Sequence, residues 1–168
     1  PWPVEHLTTK REAVDRDLSG LEALELMRIK EVEERNIWNI IHRLDGGLSL
    51  VAAMAGFARP DGKKEVGLGP NRRPTILDTF GTPDEDRFAP IEALRRGEII
   101  DYSKEMIRQL FIKNGYYDKL NVVRKVGRDE NPPYPDLTAG EIAEVSRRYK
   151  EFAEKYCSVN LGLVPGLG

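Results

Sequence analysis

The sequence predicts an α+β fold in which helices pack on an antiparallel sheet. Capping boxes at residues 19–22 and 138–141 each precede apolar residues at helical spacing. Two short apolar runs, 48–57 and 75–80, are separated by a connection rich in glycine and proline, which is typical of paired strands. With 168 residues, of which 40% are hydrophobic and 32% charged, the chain has the composition of a globular protein that buries a core.

Composition and charge exclude several classes of function. The 26 basic and 28 acidic residues give a net charge of −2, so no nucleic-acid partner is expected. No apolar stretch approaches the length that crosses a bilayer, so no membrane partner is expected. Cys157 is the only cysteine, which favours a reducing, cytoplasmic location. The start at Pro1, without an initiator methionine, indicates a fragment or a processed chain.

Caps and apolar spacing predict four helices. The first begins at Ser19 and ends before a break at residues 28–30. The second carries apolar residues from Val32 to Leu44 and is predicted to stop at the glycine pair 46–47. The other two are predicted from Ser103 to Asn114 and from Thr138 to about Tyr156.

These elements are predicted to form one domain over residues 1–168. The run 48–57 is predicted to be a buried strand that pairs with a second strand at Thr75–Phe80. Gly67 and Gly69 lie in the connection without the lysine and helix start of a phosphate-binding loop, so they are interpreted as loop glycines. The predicted parts are an arm at 1–18, helices at 19–45, the strand pair and a site turn at 48–90, closing helices at 101–157 and a mobile tail at 158–168.

Carboxylates surround a single arginine in the stretch "ILDTFGTPDEDRFAP", residues 76–90. Asp78 and Asp84 could hold a magnesium ion or orient an amine, and Arg87 could bind a phosphate through its planar guanidinium group. Alternatively, Asp84 caps a turn, Arg87 neutralises Asp84 or Glu85, and nothing binds. Spacing by itself leaves both interpretations open.

Four segments in order resemble one family. "LDTFGTPDEDRF" is similar to the "(A)DE-x-x-TPDSSRF/W" stretch of phosphoribosylaminoimidazole-succinocarboxamide synthase, the SAICAR synthetases. "TTKREAVDRDLSGLEALEL" resembles the substrate-loop motif of that family. "IDYSKEMIRQLFIKNGYYDK" is similar to its "SKqfvRdwl…G-(F/W)-D-K" helix, and "PPYPDLTAGEIAEVSRRYKEF" to its closing helix with "R-Y-x-E".

The resemblance implies the fold of the carboxy-terminal two thirds of a SAICAR synthetase. It also implies an ATP-dependent ligase that joins L-aspartate to the carboxylate of 5-aminoimidazole-4-carboxy ribonucleotide with magnesium, releasing ADP and phosphate. No counterpart of the family's nucleotide-binding lobe precedes Pro1, so ATP binding by this chain alone is not expected. A second chain that carries this lobe, or a homo-oligomer, is the expected partner.

The resemblance also implies roles for individual residues. Arg87 matches the arginine that holds the ribonucleotide phosphate, Asp84 a substrate-contacting aspartate and Asp78 an acid of the magnesium site. The substrate-loop motif is matched by Thr9, Lys10 and Asp15.

Departures from the family pattern leave three functions open. The family's strand "D-x-K-x-E-x-G" is aligned with "AAMAGFA", and Thr79 replaces the acid beside Asp78. In this alignment apolar or small residues stand where the Asp, Lys, Glu and Gly are expected, namely Ala52, Met54, Gly56 and Ala58. The chain is then part of the aspartate ligase, a non-catalytic relative that acts through assembly, or a ligase for a different amine and acid.

Overall fold

A computed structural model describes residues 6–9, 16–126 and 130–159. Within these residues the strands form three two-stranded antiparallel sheets, β1–β2, β3–β6 and β4–β5. The α+β class is confirmed. The strands are β1 Leu7–Thr8, β2 Asp17–Leu18, β3 Phe57–Gly62, β4 Val66–Leu68, β5 Pro74–Ile76 and β6 Asp86–Pro90, and the helices are α1 Gly20–Met27, α2 Glu31–Met54, α3 Ile91–Arg95, α4 Glu105–Lys113, α5 Tyr116–Lys125 and α6 Ala139–Cys157.

The contacts divide the chain into two compact units. Unit 1 consists of Pro1–Leu44 and Val66–Leu77, and unit 2 of Asp45–Glu65 and Asp78–Gly168. The single domain stays a prediction. Most of the predicted tail, residues 160–168, lies outside the described residues.

In unit 1, the predicted cap of the first helix is present but its capping box is only half formed. The Ser19 hydroxyl accepts the Glu22 N–H at 3.3 Å, as the sequence predicts. The Glu22 carboxylate instead accepts a bond of 2.6 Å from Arg16, which lowers the pKa of Glu22. Arg28 then ends α1 in the left-handed conformation, with φ of 50°, and this confirms the predicted break.

The second helix does not stop at its glycine pair. α2 passes through Gly46 and Gly47 and ends at Met54, so the predicted buried strand at 48–57 is wrong. A helical glycine costs only about 1 kcal/mol relative to alanine, and packing against the core offsets that cost, because Ala52 is fully buried. The helix ends before Gly56, whose φ of 83° suits glycine.

The strand pairing of unit 2 also differs from the prediction. β3 pairs with β6, with Phe57 opposite Pro90 and Asp61 opposite Arg87, and the register is irregular between Ala58 and Asp61. β6 was not predicted as a strand. The expected second strand at Thr75–Phe80 is shorter, since β5 ends at Ile76, and its partner is β4.

The core of unit 2 lies on one face of the β3–β6 pair. Its phenylalanine rings come from β3, β6 and α6, with ring centroids 5.2 Å apart for Phe57–Phe152 and 4.5 Å apart for Phe88–Phe152. Side chains alternate along a strand, so Asp86 points to the same side as Phe88, while Arg87 points away. The buried cluster consists of Ala52, Phe57, Phe88, Tyr102 and Phe152.

The later helices follow their predicted caps closely. Ser103 accepts the Glu105 N–H at 3.2 Å where α4 begins. The capping box of Thr138 and Glu141 is complete, so the start of α6 is confirmed. α3 and α5 were not predicted. No helix in the described part of the chain is long and apolar enough to cross a membrane.

Candidate functional site

The turn that follows Gly81 presents two of the predicted site residues. The Thr82 carbonyl accepts the N–H groups of Glu85 at 3.1 Å and Asp86 at 2.9 Å, which closes the turn just before β6. Asp84 is exposed on this turn. Arg87 follows this turn as the second residue of β6.

Arg87 pairs across the sheet with Asp61. Its Nε donates to Asp61 Oδ1 at 2.9 Å, and its Nη2 contacts the other carboxylate oxygen. The hydrogen bond and the charge of Asp61 raise the pKa of Arg87. Neutralisation by Asp84 or Glu85 is therefore wrong. The two side chains are 54% and 46% exposed, so this pair is open to solvent and to competing ligands.

Asp61 begins the segment "DGKKEVG", residues 61–67. Its residues have the family spacing Asp-x-Lys-x-Glu-x-Gly. The four positions are occupied by Asp61, Lys63, Glu65 and Gly67. This match was not predicted, because the apolar run before it was interpreted as the strand. The signal that could have revealed it is the Asp-x-Lys-x-Glu-x-Gly spacing itself, which begins at Asp61, four residues after the end of that run.

The alignment of that motif with residues 52–58 was wrong. Ala52 and Met54 lie on α2, Gly56 follows the helix and Ala58 lies on β3. They do not share one face of a strand, so the inferred loss of polar groups there does not hold. Ala52 is buried in the core, whereas Met54 is 41% exposed.

The side chains of Lys63, Lys64 and Glu65 differ sharply in exposure. The Lys63 side chain is 48% exposed and its Nζ lies 3.1 Å from Glu65 Oε1. The Lys64 side chain is only 3% exposed. The Lys63 N–H donates to the Glu85 carbonyl at 3.1 Å, which extends the pairing of the segment beyond β3 and holds Lys63 toward solvent.

A buried carboxylate lies on the opposite side of the strand pair. Asp86 accepts bonds of 2.8 Å from Arg59 Nε and 2.8 Å from Lys64 Nζ, and a third of 3.0 Å from the Gly81 N–H. Arg59 also donates to Asp45 at 2.6 Å. Burial acts to lower the pKa of Arg59, but Asp86 and Asp45 outweigh it and the pKa is raised.

Gly62 fits against this network only because it has no side chain. A Cβ at this position would lie 2.0 Å from Asp86 Oδ1 and 2.3 Å from Arg59 Nη2. The middle of "DGKK" therefore serves packing, whereas Asp61 and Lys63 on either side of Gly62 remain exposed.

The closing helix α6 supports the turn through its "R-Y-x-E" residues. Tyr149 donates to Asp84 at 3.3 Å, and burial together with the charge of Asp84 raises the pKa of Tyr149 to about 12. Arg148 donates to the Asp101 carbonyl at 2.9 Å. Glu151 accepts a bond of 2.7 Å from the hydroxyl of Tyr102. The motif thus connects α6 to both segments beside the candidate site.

The remaining predicted site residues make local contacts or fall outside the described part. Asp78 is exposed and accepts the N–H of Thr79 at 2.8 Å. In unit 1, Thr9 accepts the Arg16 N–H on its hydroxyl at 3.2 Å. Lys10 and Asp15 lie outside the described residues.

The fold and the site define a class. This is an α+β chain that presents an arginine and carboxylates from a strand pair and an adjoining turn, an arrangement suited to a phosphorylated, anionic substrate.

Comparisons with known proteins identify the relatives. A phosphoribosylaminoimidazole-succinocarboxamide synthase of Thermoplasma acidophilum is 41% identical over 155 residues, which are 92% of this chain and 52% of the relative. That of Thermoplasma volcanium is 37% identical over 153 residues, 91% of this chain and 52% of the relative. The chain is thus related in sequence to SAICAR synthetases. It spans about half the length of the curated relatives it matches, less than the two thirds that the motifs suggested.

Solved structures agree on the fold. The crystal structure of the synthase from Ehrlichia chaffeensis matches with a TM-score of 0.57 at 17% identity, covering 87% of this chain and 47% of that one. A type-2 SAICAR synthetase in complex with ADP matches with a TM-score of 0.57 at 23% identity, covering 80% of this chain and 54% of that one. No family model matches the chain.

Proposed function

We propose that this chain supplies the substrate side of an ATP-dependent ligase that joins L-aspartate to 5-aminoimidazole-4-carboxy ribonucleotide. The observation that carries this proposal is the exposed Arg87–Asp61 pair, flanked by Lys63 and by the turn with Asp84. The relatedness to SAICAR synthetases supports it. Amide formation requires a carboxylate activated by phosphoryl transfer, and such a reaction needs fixed cations around the transferred group.

Arg87 is the proposed ligand of the ribonucleotide phosphate. A guanidinium group binds a phosphate through two parallel hydrogen bonds, as it now binds the Asp61 carboxylate. The pair is half exposed. A dianionic phosphate can therefore replace Asp61 on the Arg87 guanidinium, or bind the guanidinium together with Asp61, at little cost in free energy. Asp84 is held by Tyr149 and is the proposed contact to the amino group of the substrate. Thr9, Lys10 and Asp15 remain proposed substrate-loop residues.

Binding of magnesium and ATP by the complete enzyme is part of this proposal. The described residues contain no group of three His, Cys, Asp or Glu side chains poised for a metal. Magnesium is usually held by one or two carboxylates together with substrate phosphates and water, and Glu65 and Asp78 are oxygen donors of that type. When bound, the ion would neutralise charge on the transferred phosphoryl group.

The nucleotide site is proposed to lie on a part of the enzyme that this chain does not span. The curated relatives are about twice as long as the matched region. That part belongs either to the same polypeptide or to a second chain. The cytoplasm is the proposed location of this chemistry.

The main argument for a non-catalytic relative no longer applies. It rested on a polar strand replaced by Ala52, Met54 and Gly56, and those residues are not on a strand. The "D-x-K-x-E-x-G" spacing is instead present at residues 61–67. A ligase that uses another amine remains an alternative, and the test must distinguish it from a ligase that uses aspartate.

The test is a ligase assay on the protein isolated from its source, with any accompanying chain identified by native mass spectrometry. We expect ADP release that depends on both aspartate and the ribonucleotide. Arg87→Gln should raise the KM for the ribonucleotide about ten- to hundredfold, because a charged hydrogen bond contributes about 1.5–3 kcal/mol.

A matched control is available in Arg95, which is 70% exposed and pairs with Glu92 on its own short helix. Arg95→Gln should leave the KM within about twofold, since such exposed pairs contribute little. Equal effects of the two substitutions would refute the role of Arg87. ADP release with another amine but not with aspartate would favour the alternative ligase, and no ADP release at all would refute the proposed function.

A further inference from the structure

The segment that carries Asp61 and Lys63 has little in its own sequence to fix its pairing with β6. Residues 59–64 have the sequence "RPDGKK", and the only apolar side chain among them, that of Pro60, is exposed. The register of a strand is strongly specified where one face buries apolar side chains, and weakly specified where the strand is polar or contains glycine. The hydrophobic core therefore fixes β3 at Phe57 but not the residues that follow it.

The irregular pairing within β3 makes this weak specification important. Regular pairing with β6 ends at Ala58, and after a shift it resumes with Asp61 opposite Arg87. A further slip by one residue would turn every following side chain to the other face of the strand. Asp61 and Lys63 would then face the core, and Lys64 would face solvent. The candidate site thus requires one particular register of this segment.

One buried carboxylate contacts the chain both at the irregularity and after it. Asp86 on β6, whose side chain is fully buried, accepts a bond of 2.8 Å from Arg59, which lies within the irregular stretch. It accepts a second bond of 2.8 Å from Lys64, which lies after it. Gly62 is the residue paired with Asp86, and its lack of a side chain allows the carboxylate to approach. Each contact requires the observed register, because a slip by one residue turns Lys64 to the exposed face and places a residue with a side chain opposite Asp86.

The exposed ion pair on the other face is too weak to select the register. Arg87 and Asp61 are about half exposed, and such pairs contribute little free energy. A buried charge, in contrast, has lost its hydration and must keep its partner. A register that separated Lys64 from Asp86 would break a buried ion pair, and the buried network therefore disfavours that register.

We propose that Asp86, Arg59 and Lys64 are positioning residues that fix the register of residues 61–65 against β6. They contact no substrate themselves. Their effect is to keep the two carboxylates and the lysine of the "D-x-K-x-E" spacing on the exposed face, beside Arg87. The use of that face by a ligase rests on the proposed function, whereas the selection of the register does not.

The test compares NMR spectra of the full chain with those of Lys64→Met, a substitution of similar length that leaves Asp86 bound to Arg59. In the observed register the Lys63 N–H donates to the Glu85 carbonyl at 3.1 Å, so its exchange with solvent reports on the pairing. We expect exchange at position 63 to become at least about tenfold faster in Lys64→Met, because the segment opens locally.

A second readout of the register is the cross-strand nuclear Overhauser effect between Asp61 and Arg87, which are paired in the structure. We expect this effect to disappear in Lys64→Met, whereas the corresponding effect between Phe57 and Pro90, before the irregularity, should remain. Unchanged exchange at position 63 together with an unchanged effect between Asp61 and Arg87 would overturn the inference.

Tyr102→Phe is the matched control. It also removes one hydrogen bond from unit 2, that to Glu151 at 2.7 Å, and it should leave both readouts unchanged. Equal effects of the two substitutions would indicate a general loss of stability and would refute the inference. If Lys64→Met does not fold, the double variant Lys64→Met/Asp86→Asn replaces it, because it removes one charge of each sign and leaves Arg59 its bond to Asp45. Failure of both variants to fold would also refute the inference, since the network would then serve the whole fold.

Activity of the isolated enzyme separates this inference from the proposed function. Lys64→Met should lower kcat about ten- to hundredfold through misplacement of the exposed groups. The KM for the ribonucleotide should change less than about threefold, since Arg87 lies on β6 and keeps its place. A lost register with an unchanged kcat would refute the positioning role. If the register does not change, the inference fails and an active enzyme still supports the proposed function. If the register is lost in the variant and the unsubstituted enzyme releases no ADP with aspartate, the proposed function fails and the selection of the register stands.

Discussion

The two faces of the β3–β6 pair use the same chemistry in opposite ways. On one face Asp86 is fully buried between Arg59 and Lys64, whose side chains are 4% and 3% exposed. On the other face, one residue along, Arg87 and Asp61 form a pair that is about half exposed. Both contain a carboxylate and a guanidinium group in direct contact.

The difference teaches which charges hold the fold and which are available to a ligand. A buried charge must keep its partners, because its hydration has been lost. An exposed pair contributes little to stability and exchanges partners easily.

The largest expected effect is on the buried face. Asp86→Asn would remove the buried carboxylate between Arg59 and Lys64 and leave them Asp45, whose side chain is 36% exposed, as their shared carboxylate. We expect a loss of about 3–5 kcal/mol in the free energy of unfolding, measured by urea denaturation. Asp61→Asn on the exposed face is the control and should cost less than about 1 kcal/mol. Similar midpoints for the two variants would show that the network does not stabilise the fold.

The next effect tests the close approach at Gly62. Gly62→Ala places a methyl group against Asp86 and Arg59, and we expect about 1–3 kcal/mol of destabilisation from the forced shift. Gly46→Ala is the matched control, because its Cβ meets nothing within 4 Å. In the helix interior this change should stabilise by about 0.5–1 kcal/mol. Thermal unfolding of both variants measures these changes, and we expect a lower Tm for Gly62→Ala and a higher Tm for Gly46→Ala.

A smaller effect is expected for the exposed pair itself. In a double-mutant cycle of Asp61→Ala and Arg87→Ala, the coupling energy should be about 0.2–1 kcal/mol. It should fall further at about 1 M salt, where screening is strong. A coupling above about 2 kcal/mol would mean that this pair is structural, and would weaken its assignment as a ligand site.

The smallest expected effect is a shift in the pKa of Tyr149. Tyr149 has a pKa of about 12, raised by burial and then by the charge of Asp84. Because this pKa is above the ordinary value of 10, the stability that Tyr149 contributes is present below pH 10 and lost as the pH rises toward 12. Asp84→Asn should lower the pKa of Tyr149 but keep it above 10, since burial remains. NMR titration of labelled tyrosine would check this, with Tyr149→Phe to assign the signal.

Local signals in the sequence were interpreted correctly where they act over a few residues. The cap at Ser19 and the capping box at Thr138 are both present, because each involves hydrogen bonds within one turn of helix. The "D-x-K-x-E-x-G" spacing was equally local. It was missed because the neighbouring apolar run was interpreted first, and that run belongs to a helix.

Pairings between distant residues could not be predicted in this way. The alternative partners considered for Arg87 were Asp84 and Glu85, its neighbours in sequence, whereas its partner Asp61 is 26 positions away. The irregular register between Ala58 and Asp61 also changes which residues face each other. Hydrophobic periodicity indicates which face of a strand is buried, but it does not identify the partner strand or the position of an irregularity in the register.

The sequence by itself determined the α+β class, the starts of the capped helices α1 and α6 and the relatedness to SAICAR synthetases, because these depend on caps, spacing and ordered motifs along the chain. Only the tertiary structure decided that α2 continues through its glycines, that β3 pairs with β6, and which charges are buried. Those outcomes depend on which apolar surfaces meet, as Phe57, Phe88 and Phe152 do in the core. Burial of that cluster places Asp86 inside and leaves Arg87 outside, since neighbouring strand residues point to opposite faces.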